Sequence, residues 1–420
     1  MHGRSGFPTK VVLFASAIGV TITLHPMASP AATLTTLYSF CKQTGCPDGS
    51  FPLTGLVMDS LGNLFGTTGF GGAHDCGTIF ELVRIGSSFK HQVLYNFCSL
   101  SGQADGNLPF DALTIDADGN LYGTTQSGPG GFGVAFKLNR RGTPKLKVLH
   151  RFCTDKKCTN GVHPVTRLHY KGETTGVPYD GVSSLFGSAQ DNGGSSSGIV
   201  FRLEPEGAVT TLHNFCKGTG CADGLNPSPS REGLLVTPRG DIIGTTARGG
   251  AKDHGMAFEI SHLAVYGILS SFCQQTNCTD GDGPIGPLAF DGRSVWGTTK
   301  DGGAQNRGVV FRLRGGVSTV RHSFCSGDCS DGAVPGGITA DAAGHLFGAT
   351  VEFGTHANGT IYKFDGGSDF QTLYNLCTKT SCRDGEFANS QLVIDASGNL
   401  FGTTEQGGAG TVGTVFELTP

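Results

Sequence analysis

Short apolar segments alternate with turns rich in glycine, asparagine and aspartate, and three kinds of segment recur in one order along the chain. The first is a pentad such as Leu-Phe-Gly-Thr-Thr, whose glycine is Gly66, Gly123, Gly187, Gly244, Gly297, Gly348 or Gly402. The second has the form Gly-x-x-Phe/Tyr and begins at Gly77, Gly133, Gly198, Gly255, Gly308, Gly359 or Gly413. The third ends in cysteine, at Cys41, Cys98, Cys153, Cys216, Cys273, Cys325 or Cys377. Seven copies of each predict tandem repeats of short strands and tight turns.

The pentad glycines are spaced 51 to 64 residues apart, and this spacing sets the size of the repeated unit. It is too long for one coil of a β-solenoid and long enough for a blade of four antiparallel strands. We assign strand A to segments such as 55–59, strand B to the pentad, strand C to the second segment and strand D to the run into the cysteine. Runs such as 199–201 lack polar alternation, as expected where both faces of a blade are buried. The sequence therefore predicts an all-β, seven-bladed β-propeller.

The order of segments at the two ends predicts how the ring closes. The first repeated element is a lone strand D over 34–41, and the last repeat lacks that strand. We expect this strand to pair with the C-terminal strands of 389–420, because such closure leaves no free sheet edge. The third repeat is irregular, since 164–187 spans 23 positions where 52–66 spans 14. The extra residues, around 170–180, are expected to lengthen its A–B hairpin.

The N-terminal segment resembles a targeting signal. Two basic residues precede an uncharged, mainly apolar run over 11–24, and small residues follow it. This pattern predicts a secretory signal peptide over 1–31, cleaved near Ala31 or Ala32. An uncleaved anchor is the alternative, although the apolar run is short for a membrane span. We expect 32–420 to be one exported propeller, monomeric and without a membrane span.

Composition narrows the range of partners. The chain of 420 residues contains 68 glycines, carries a net charge of −4 and has no basic stripe. A nucleic-acid partner is therefore not expected. Phosphate-binding loops and zinc-protease motifs are also absent from the sequence.

The cysteines predict disulfides. Fourteen are present, and twelve form local pairs: Cys41 with Cys46, Cys153 with Cys158, Cys216 with Cys221, Cys273 with Cys278, Cys325 with Cys329, and Cys377 with Cys382. After a signal peptide such pairs indicate disulfides, whereas zinc would need four ligands together and these pairs are spread around a ring. Cys76 lies in a B–C loop and Cys98 ends a strand D, and both loops lie at the same end of a propeller. A bridge between Cys76 and Cys98 is the corresponding hypothesis.

The pattern Asp-x-x-Gly-Asn-Leu-Phe-Gly-Thr-Thr, followed by Gly-Gly and Gly-Thr-Val-Phe-x-Leu over 395–418, resembles the GloVer tandem repeat of bacterial secreted choice-of-anchor proteins. The resemblance covers the whole mature chain. It implies a secreted or surface β-propeller-like protein and implies no activity. Such proteins often carry a C-terminal sorting segment, and the end at Pro420 without one favours a released or periplasmic product. A looser similarity to streptogramin-lyase-like propellers rests on the same turn and strand.

An Asp-Gly or Asn-Gly pair follows every strand D, in the loop that leads to the next strand A. The residues are Asp48, Asp105, Asn160, Asp223, Asp280, Asp331 and Asp384. Their oxygens predict a ring of cation ligands, with calcium as the candidate ion, and no other cofactor is expected. The alternative, that each side chain only caps its own turn, is favoured because the pair recurs in every blade.

Polar residues that differ between repeats follow strand B or lie in the B–C loops. As ligand-binding candidates we take His74, Gln126, Gln190, Arg248, His254, Lys300, Glu352 and Glu405. Ordinary solvated loop residues are the alternative for each. The face that carries the B–C and D–A loops is therefore the predicted working face.

Three functions are compatible with these features. The first is a secreted binding module for a glycan or protein ligand. The second is an extracellular lyase or hydrolase, using His74 or His254 with Glu352 or Glu405. A nucleophilic Cys76 beside His74 is a further enzymatic alternative, although a disulfide would consume that thiol. The third is a structural protein of the cell envelope.

Overall fold

The computed structural model describes residues 32–191, 197–227, 233–367 and 369–420. The predicted signal peptide, 1–31, lies outside these residues. The described residues contain 30 strands, arranged in seven antiparallel sheets that follow one another along the chain. None of the helices in this part of the chain has the length and apolar composition needed to cross a bilayer.

The strands are numbered in chain order, and β1 (Thr33–Ser39) precedes the first blade. Blade 1 comprises β2 (Val57–Met58), β3 (Leu64–Thr68), β4 (Thr78–Ile85) and β5 (Ser88–Asn96). Blade 2 comprises β6 (Thr114–Ile115), β7 (Leu121–Thr125), β8 (Val134–Asn139) and β9 (Lys145–Arg151). Blade 3 comprises β10 (Val162–Pro164), β11 (His169–Tyr170), β12 (Leu185–Asp191), β13 (Ile199–Leu203) and β14 (Val209–Asn214).

Blade 4 comprises β15 (Leu225–Pro227), β16 (Leu234–Val236), β17 (Ile242–Arg248), β18 (Met256–Ile260) and β19 (Tyr266–Ser271). Blade 5 comprises β20 (Asp282–Phe290), β21 (Val295–Asp301), β22 (Val309–Arg314) and β23 (Val317–Ser323). Blade 6 comprises β24 (Ala333–Ala340), β25 (Leu346–Glu352), β26 (Thr360–Phe364) and β27 (Phe370–Asn375). Blade 7 comprises β28 (Val393–Ile394), β29 (Leu400–Thr404), β30 (Thr414–Thr419) and β1. Short 3-10 turns occupy Ser101–Gln103, Pro129–Gly131, Glu173–Thr175, Thr276–Cys278 and Thr380–Cys382.

Within every blade the strands are hydrogen-bonded in the order A–B–C–D, so the predicted seven-bladed propeller is confirmed. Strand A is shorter than the predicted segment 55–59 in blade 1, and it consists of two pieces in blades 3 and 4. Since neighbouring strands are antiparallel, the A–B and C–D turns lie at one end of the ring, and the B–C and D–A loops lie at the other. We call these ends the A–B face and the D–A face.

Close packing between strands B and C explains why the pentad and the second segment recur together. All five residues of β3 are buried. Gly66 pairs with Phe80 on β4, and a Cβ atom on Gly66 would lie 2.7 Å from the phenyl ring. In blade 7 the corresponding distance, between Gly402 and Phe416, is 2.6 Å. Glycine is therefore required in strand B so that the aromatic ring of strand C can lie across it.

The ring closes through its first strand. β1 pairs with β30 and places Leu34 opposite Leu418, which confirms the pairing predicted for 34–41. Tyr38 of β1 also stacks on His91 of β5 in blade 1, with ring centroids 4.1 Å apart. Burial lowers the pKa of His91 to about 4, so its stacked ring is neutral near pH 7. The closing strand thus contacts blades 7 and 1.

Candidate functional site

Three adjoining cavities open along the central channel toward the A–B face, with volumes of about 540, 680 and 280 Å³. Arg167, which lies between the two pieces of strand A of blade 3 (β10 and β11), lines all three. The cavity of 540 Å³, which we call the blade 4–6 cavity, includes Leu235, Leu288 and Asp341. Volumes of this size are typical of small-molecule sites.

The other two cavities lie on the side of blades 1 and 7. The cavity of 680 Å³, the blade 1–7 cavity, includes Asp59 and Asp395 in two A–B turns. The cavity of 280 Å³ includes Leu56 and Gln391 from strands A and none of the turn carboxylates, and we call it the deep cavity. The deep cavity shares lining residues with both others, so the three form one branched space.

The blade-3 hairpin (residues 171–184) lies at the mouth of this space and is anchored to blade 2. Tyr179 is 1% exposed and packs edge-on against Tyr122, with ring centroids 5.1 Å apart. The Ala117 N–H of blade 2 donates to the Tyr179 carbonyl at 3.0 Å. Tyr179 is the largest apolar side chain that the hairpin buries, so its packing contributes most to holding the hairpin in place.

Glu173 attaches the same hairpin to blade 4. Its carboxylate accepts hydrogen bonds from His169 Nδ1 at 2.9 Å and from the Val236 N–H at 2.8 Å. Burial opposes ionisation of Glu173, but His169, Arg167 and the Val236 N–H outweigh it and hold the pKa below its usual value. The hairpin is therefore anchored to the blades on both sides of it, blade 2 through Tyr179 and blade 4 through Glu173.

The hairpin also separates the two larger cavities. Thr174 and Thr175 line the blade 4–6 cavity, Pro178 lines the blade 1–7 cavity and Gly176 lines both. The Thr174 Oγ1 and His169 Nε2 atoms are buried without a hydrogen-bond partner. Unpaired buried polar atoms cost stability, so the position of the hairpin depends on Tyr179 and Glu173.

Carboxylates in the outer parts of the cavities serve their own turns. Asp341, for example, accepts hydrogen bonds from the Ala343 N–H, the His345 N–H and His345 Nδ1, at 2.8–2.9 Å. Burial opposes ionisation of Asp341, and these bonds outweigh it and hold its pKa below the usual value. Asp395 accepts two backbone N–H groups and an amide in the same way. These acidic groups fix the A–B turns, and this function recurs around the ring.

Arg167 differs from these carboxylates because its side chain forms few hydrogen bonds with other residues. Among the described residues, its side chain donates one hydrogen bond, from Nε to Thr114 Oγ1 at 3.4 Å. No carboxylate oxygen of the described residues lies within 4.0 Å of its guanidinium nitrogens. Its remaining N–H groups therefore face the channel without a protein acceptor.

The residues predicted from variable loops lie elsewhere. None of the eight lines the three cavities, and they belong to the D–A face of blades 1 to 7. Arg248 pairs with Asp253 at 3.2 Å, and His254 Nδ1 lies 2.8 Å from Asp282 of the next blade. Glu352 lies 3.7 Å from Arg307 of the preceding blade. Among the described residues, no side-chain hydrogen bond or ion pair is formed by the other five: His74, Gln126, Gln190, Lys300 and Glu405. A ligand at these eight residues stays a prediction.

The Asp-Gly and Asn-Gly side chains cap the loops that contain them. Asp384, for example, accepts from the N–H groups of Thr378 and Lys379 and from the Tyr374 hydroxyl, at 2.9–3.1 Å. Loop N–H groups likewise donate to Asp48, Asp105, Asn160, Asp223, Asp280 and Asp331. In six described blades a strand-D tyrosine or histidine lies 2.7–3.3 Å from the Asp or Asn: Tyr38, Tyr95, His150, His213, His322 and Tyr374. Turn capping accounts for these contacts, and calcium at the ring stays a prediction.

All fourteen cysteines form disulfides, and no cysteine of the described residues is free. The six predicted local disulfides are confirmed: Cys41 is bonded to Cys46, Cys153 to Cys158, Cys216 to Cys221, Cys273 to Cys278, Cys325 to Cys329, and Cys377 to Cys382. Cys76 and Cys98 are also bonded, with Cα atoms 6.0 Å apart, which confirms the hypothesis for the two remaining cysteines. Two cysteine-containing clusters have metal-like spacing, but their thiols are already consumed in disulfides.

The family comparison agrees with the repeat pattern. The model of the Gloeobacter/Verrucomicrobia repeat matches residues 17–184 and 174–341, which together are more than half of the chain. The chain belongs to the Gloeobacter/Verrucomicrobia repeat family. The resemblance to this repeat seen in the sequence is therefore confirmed. No functionally curated protein matches the sequence.

Several solved structures are similar to this Gloeobacter/Verrucomicrobia repeat protein. One is the extracellular domain of BT4673 from B. thetaiotaomicron, described as a one-component system, with a TM-score of 0.56 and 12% identity over 92% of this chain. A second is the extracellular domain of BT3049 from the same organism, described as a hybrid two-component system, with a TM-score of 0.55 and 13% identity over 93% of this chain. A third is XC5397 from Xanthomonas campestris, a gluconolactonase, with a TM-score of 0.42 and 15% identity over 73% of this chain and 84% of its own. The chain spans about 40% of the first two, and these two support the fold.

Sequence reasoning missed Arg167, His169 and Glu173 because it looked for variation within loops of the D–A face. The one signal that pointed to them was the extra length of the third repeat. That signal predicted a longer hairpin around 170–180 and gave no indication that the hairpin is anchored to blades 2 and 4 and lines two cavities. The contact between Glu173 and Val236 joins residues 63 positions apart, and no local pattern encodes it.

Proposed function

We propose that this protein is an exported binding module whose ligand enters the central channel from the A–B face. One observation carries the proposal: three connected cavities meet at Arg167 beneath the hairpin that breaks the sevenfold repetition. A repeated scaffold binds a specific ligand where its copies differ, and this hairpin is the largest difference between the blades. The size of the cavities favours a small molecule, or a terminal group of a polymer, over a broad protein surface.

Two observations support export. The seven disulfides are typical of proteins that fold in an oxidising compartment. Both neighbours from B. thetaiotaomicron are described as extracellular domains. With the N-terminal sequence pattern, these observations favour a secreted, periplasmic or cell-surface location. The binding role is the one we favour over catalysis or a purely structural role.

A pair of matched substitutions tests which face binds. Ala340 is partly exposed and lines both the blade 4–6 cavity and the deep cavity, so Ala340→Trp should fill the space where they join. Ala304 is exposed in a B–C loop, so Ala304→Trp adds the same ring at the D–A face. The measurement is thermal unfolding of the oxidised 32–420 chain against organic acids, neutral sugars and surface oligosaccharides. A ligand selective for the folded state raises the midpoint.

We expect Ala340→Trp to abolish the shift produced by such a ligand and Ala304→Trp to retain it. The two variants should unfold within a few degrees of wild type without ligand, since both positions are partly or fully exposed. The reverse pattern, with loss of the shift only in Ala304→Trp, would place binding at the D–A face and overturn the proposal.

A further inference from the structure

The deep cavity has an unusual charge balance. Arg167 is the only charged residue in its lining, among the described residues, and the walls include Leu56, Val393 and Ile394. Both larger cavities contain carboxylates, but those groups lie in the A–B turns. A single positive charge therefore stands at one side of a space whose walls are polar and apolar in roughly equal parts.

The other polar side chains of the deep cavity are already engaged with the protein. Thr339 Oγ1 donates to the Leu392 carbonyl at 2.7 Å, and Gln391 Nε2 donates to the Ile338 carbonyl at 3.0 Å. These two bonds join blades 6 and 7. In contrast, the Nη1 and Nη2 groups of Arg167 have no acceptor among the described residues. The strongest unused hydrogen-bond donors in the cavity therefore belong to one guanidinium group.

The buried carboxylate of Glu173 does not form an ion pair with Arg167. Glu173 is close enough for Arg167 to lower its pKa. Its oxygens are nevertheless directed to His169 and the Val236 N–H, and no ion pair within 4.0 Å forms with Arg167. A partly buried cation is stabilised when an anion binds it at hydrogen-bond distance, and a guanidinium group can bind both oxygens of a carboxylate.

We propose that the deep cavity binds a small organic acid as a monoanion, with its carboxylate on the Arg167 guanidinium and its apolar part against Leu56, Val393 and Ile394. This inference rests on the proposed function, because it assigns the ligand chemistry of the same channel. One cation in the described lining matches one negative charge, whereas a phosphate dianion would leave a second charge without a partner in the cavity. The volume of 280 Å³ suits an acid of benzoate size.

The probes are benzoate and benzamide, which have nearly the same shape and differ in charge. Calorimetric titration at pH 7 should detect benzoate binding by wild type at concentrations up to about 10 mM, since ligands of this size bind in the millimolar range or tighter. Benzamide should bind at least roughly tenfold more weakly, because it lacks the charge that pairs with Arg167. Inorganic phosphate is the third probe and should bind more weakly than benzoate.

Arg167→Gln removes the charge, and Arg84→Gln is the matched control. Arg84 lines the blade 1–7 cavity and lies 4.0 Å from Asp395, so it is a second arginine at the same face outside the deep cavity. We expect Arg167→Gln to weaken benzoate binding by roughly 30-fold or more, and Arg84→Gln to leave it within about threefold of wild type. Arg167→Lys keeps the charge without the planar fork and should fall between them.

The outcomes separate this inference from the proposed function. Equal binding of benzoate by wild type and folded Arg167→Gln would overturn the inference, as would no benzoate binding or tighter binding of phosphate. If an uncharged ligand from the thermal panel still depends on Ala340, the channel remains a binding site and only the ligand chemistry is wrong. Loss of benzoate binding in Arg84→Gln alone would also overturn the inference, by moving the anion to the outer cavity.

Discussion

The two faces of the propeller are fixed by different devices. At the D–A face each loop is held by a disulfide, by an Asp or Asn cap, or by both, and these devices recur in every blade. The A–B face has no disulfide among the described residues. Its turns are held by Asp caps, and its one long hairpin is held by a buried tyrosine and a buried carboxylate. The D–A face is thus held by repeated disulfides and caps, whereas the A–B face has one irregular hairpin held by noncovalent contacts.

The contrast shows where a repeated scaffold has room for specificity. A device that recurs in all blades must satisfy the requirements of the fold, so its polar atoms are committed to the backbone. The Asp-Gly ring follows this rule, since each side chain is bound to its own loop. The blade-3 hairpin has no counterpart in the other blades, and the channel beneath it contains the arginine whose donors are unused. Residues that recur in every blade therefore indicate the scaffold, and the position where the repeat is broken indicates the candidate binding site.

The largest effect expected from breaking this contrast is at Tyr179. Tyr179→Ala should destabilise the fold by about 3–5 kcal/mol, because a fully buried aromatic ring is replaced by a cavity next to Tyr122. Phe70→Ala is the control at the D–A face, where the ring is 39% exposed and the cost should be about 1–2 kcal/mol. Urea unfolding under oxidising conditions measures both. Equal costs would mean that the hairpin is no more firmly packed than an open loop.

Much of the fold follows from sequence because its determinants are local. Gly66 and Phe80 must recur together for strands B and C to pack, and the lone strand over 34–41 needs the pairing that blade 7 lacks. The candidate site depends instead on long-range contacts. Arg167 and Glu173 acquire their environment from blades 2 and 4, and the sequence of blade 3 specifies neither contact. The Tyr or His of strand D that contacts six of the seven Asp or Asn caps was also missed, although its regular place in strand D was visible.

The second effect concerns the covalent side of the contrast. Removal of the Cys76–Cys98 bond, by the double substitution Cys76→Ser and Cys98→Ser, should cost about 3 kcal/mol because it closes a span of 22 residues. Removal of the local Cys153–Cys158 bond, which closes a span of five, should cost about 2 kcal/mol. Chemical denaturation of the two double variants without reductant gives the comparison. Both losses should leave benzoate affinity unchanged, since the bonds lie at the D–A face. A loss of affinity would show that the two faces are coupled.

The smallest effect concerns the ionised carboxylate of Glu173, which attaches the blade-3 hairpin to blade 4 at the A–B face. The folded state holds the pKa of Glu173 below its usual value of about 4.5. Ionised Glu173 therefore stabilises the fold at pH values above about 4.5, and this stabilisation is lost as the pH falls through the folded-state pKa. Glu173→Gln should therefore cost about 1–3 kcal/mol at pH 7, and the gap from wild type should narrow below about pH 4.5. Unfolding free energies measured from pH 7 to pH 3 provide the test.

Glu206→Gln is the matched control for Glu173→Gln, because Glu206 is exposed in the C–D turn of the same blade. It should follow the wild-type pH dependence throughout, so the acid sensitivity of other carboxylates, including Asp341, cancels from the comparison. A Glu173→Gln curve parallel to wild type from pH 7 to pH 3 would mean that ionisation of Glu173 does not hold the hairpin. The blade-3 hairpin would then depend on the packing of Tyr179, and its position would not depend on the charge of Glu173.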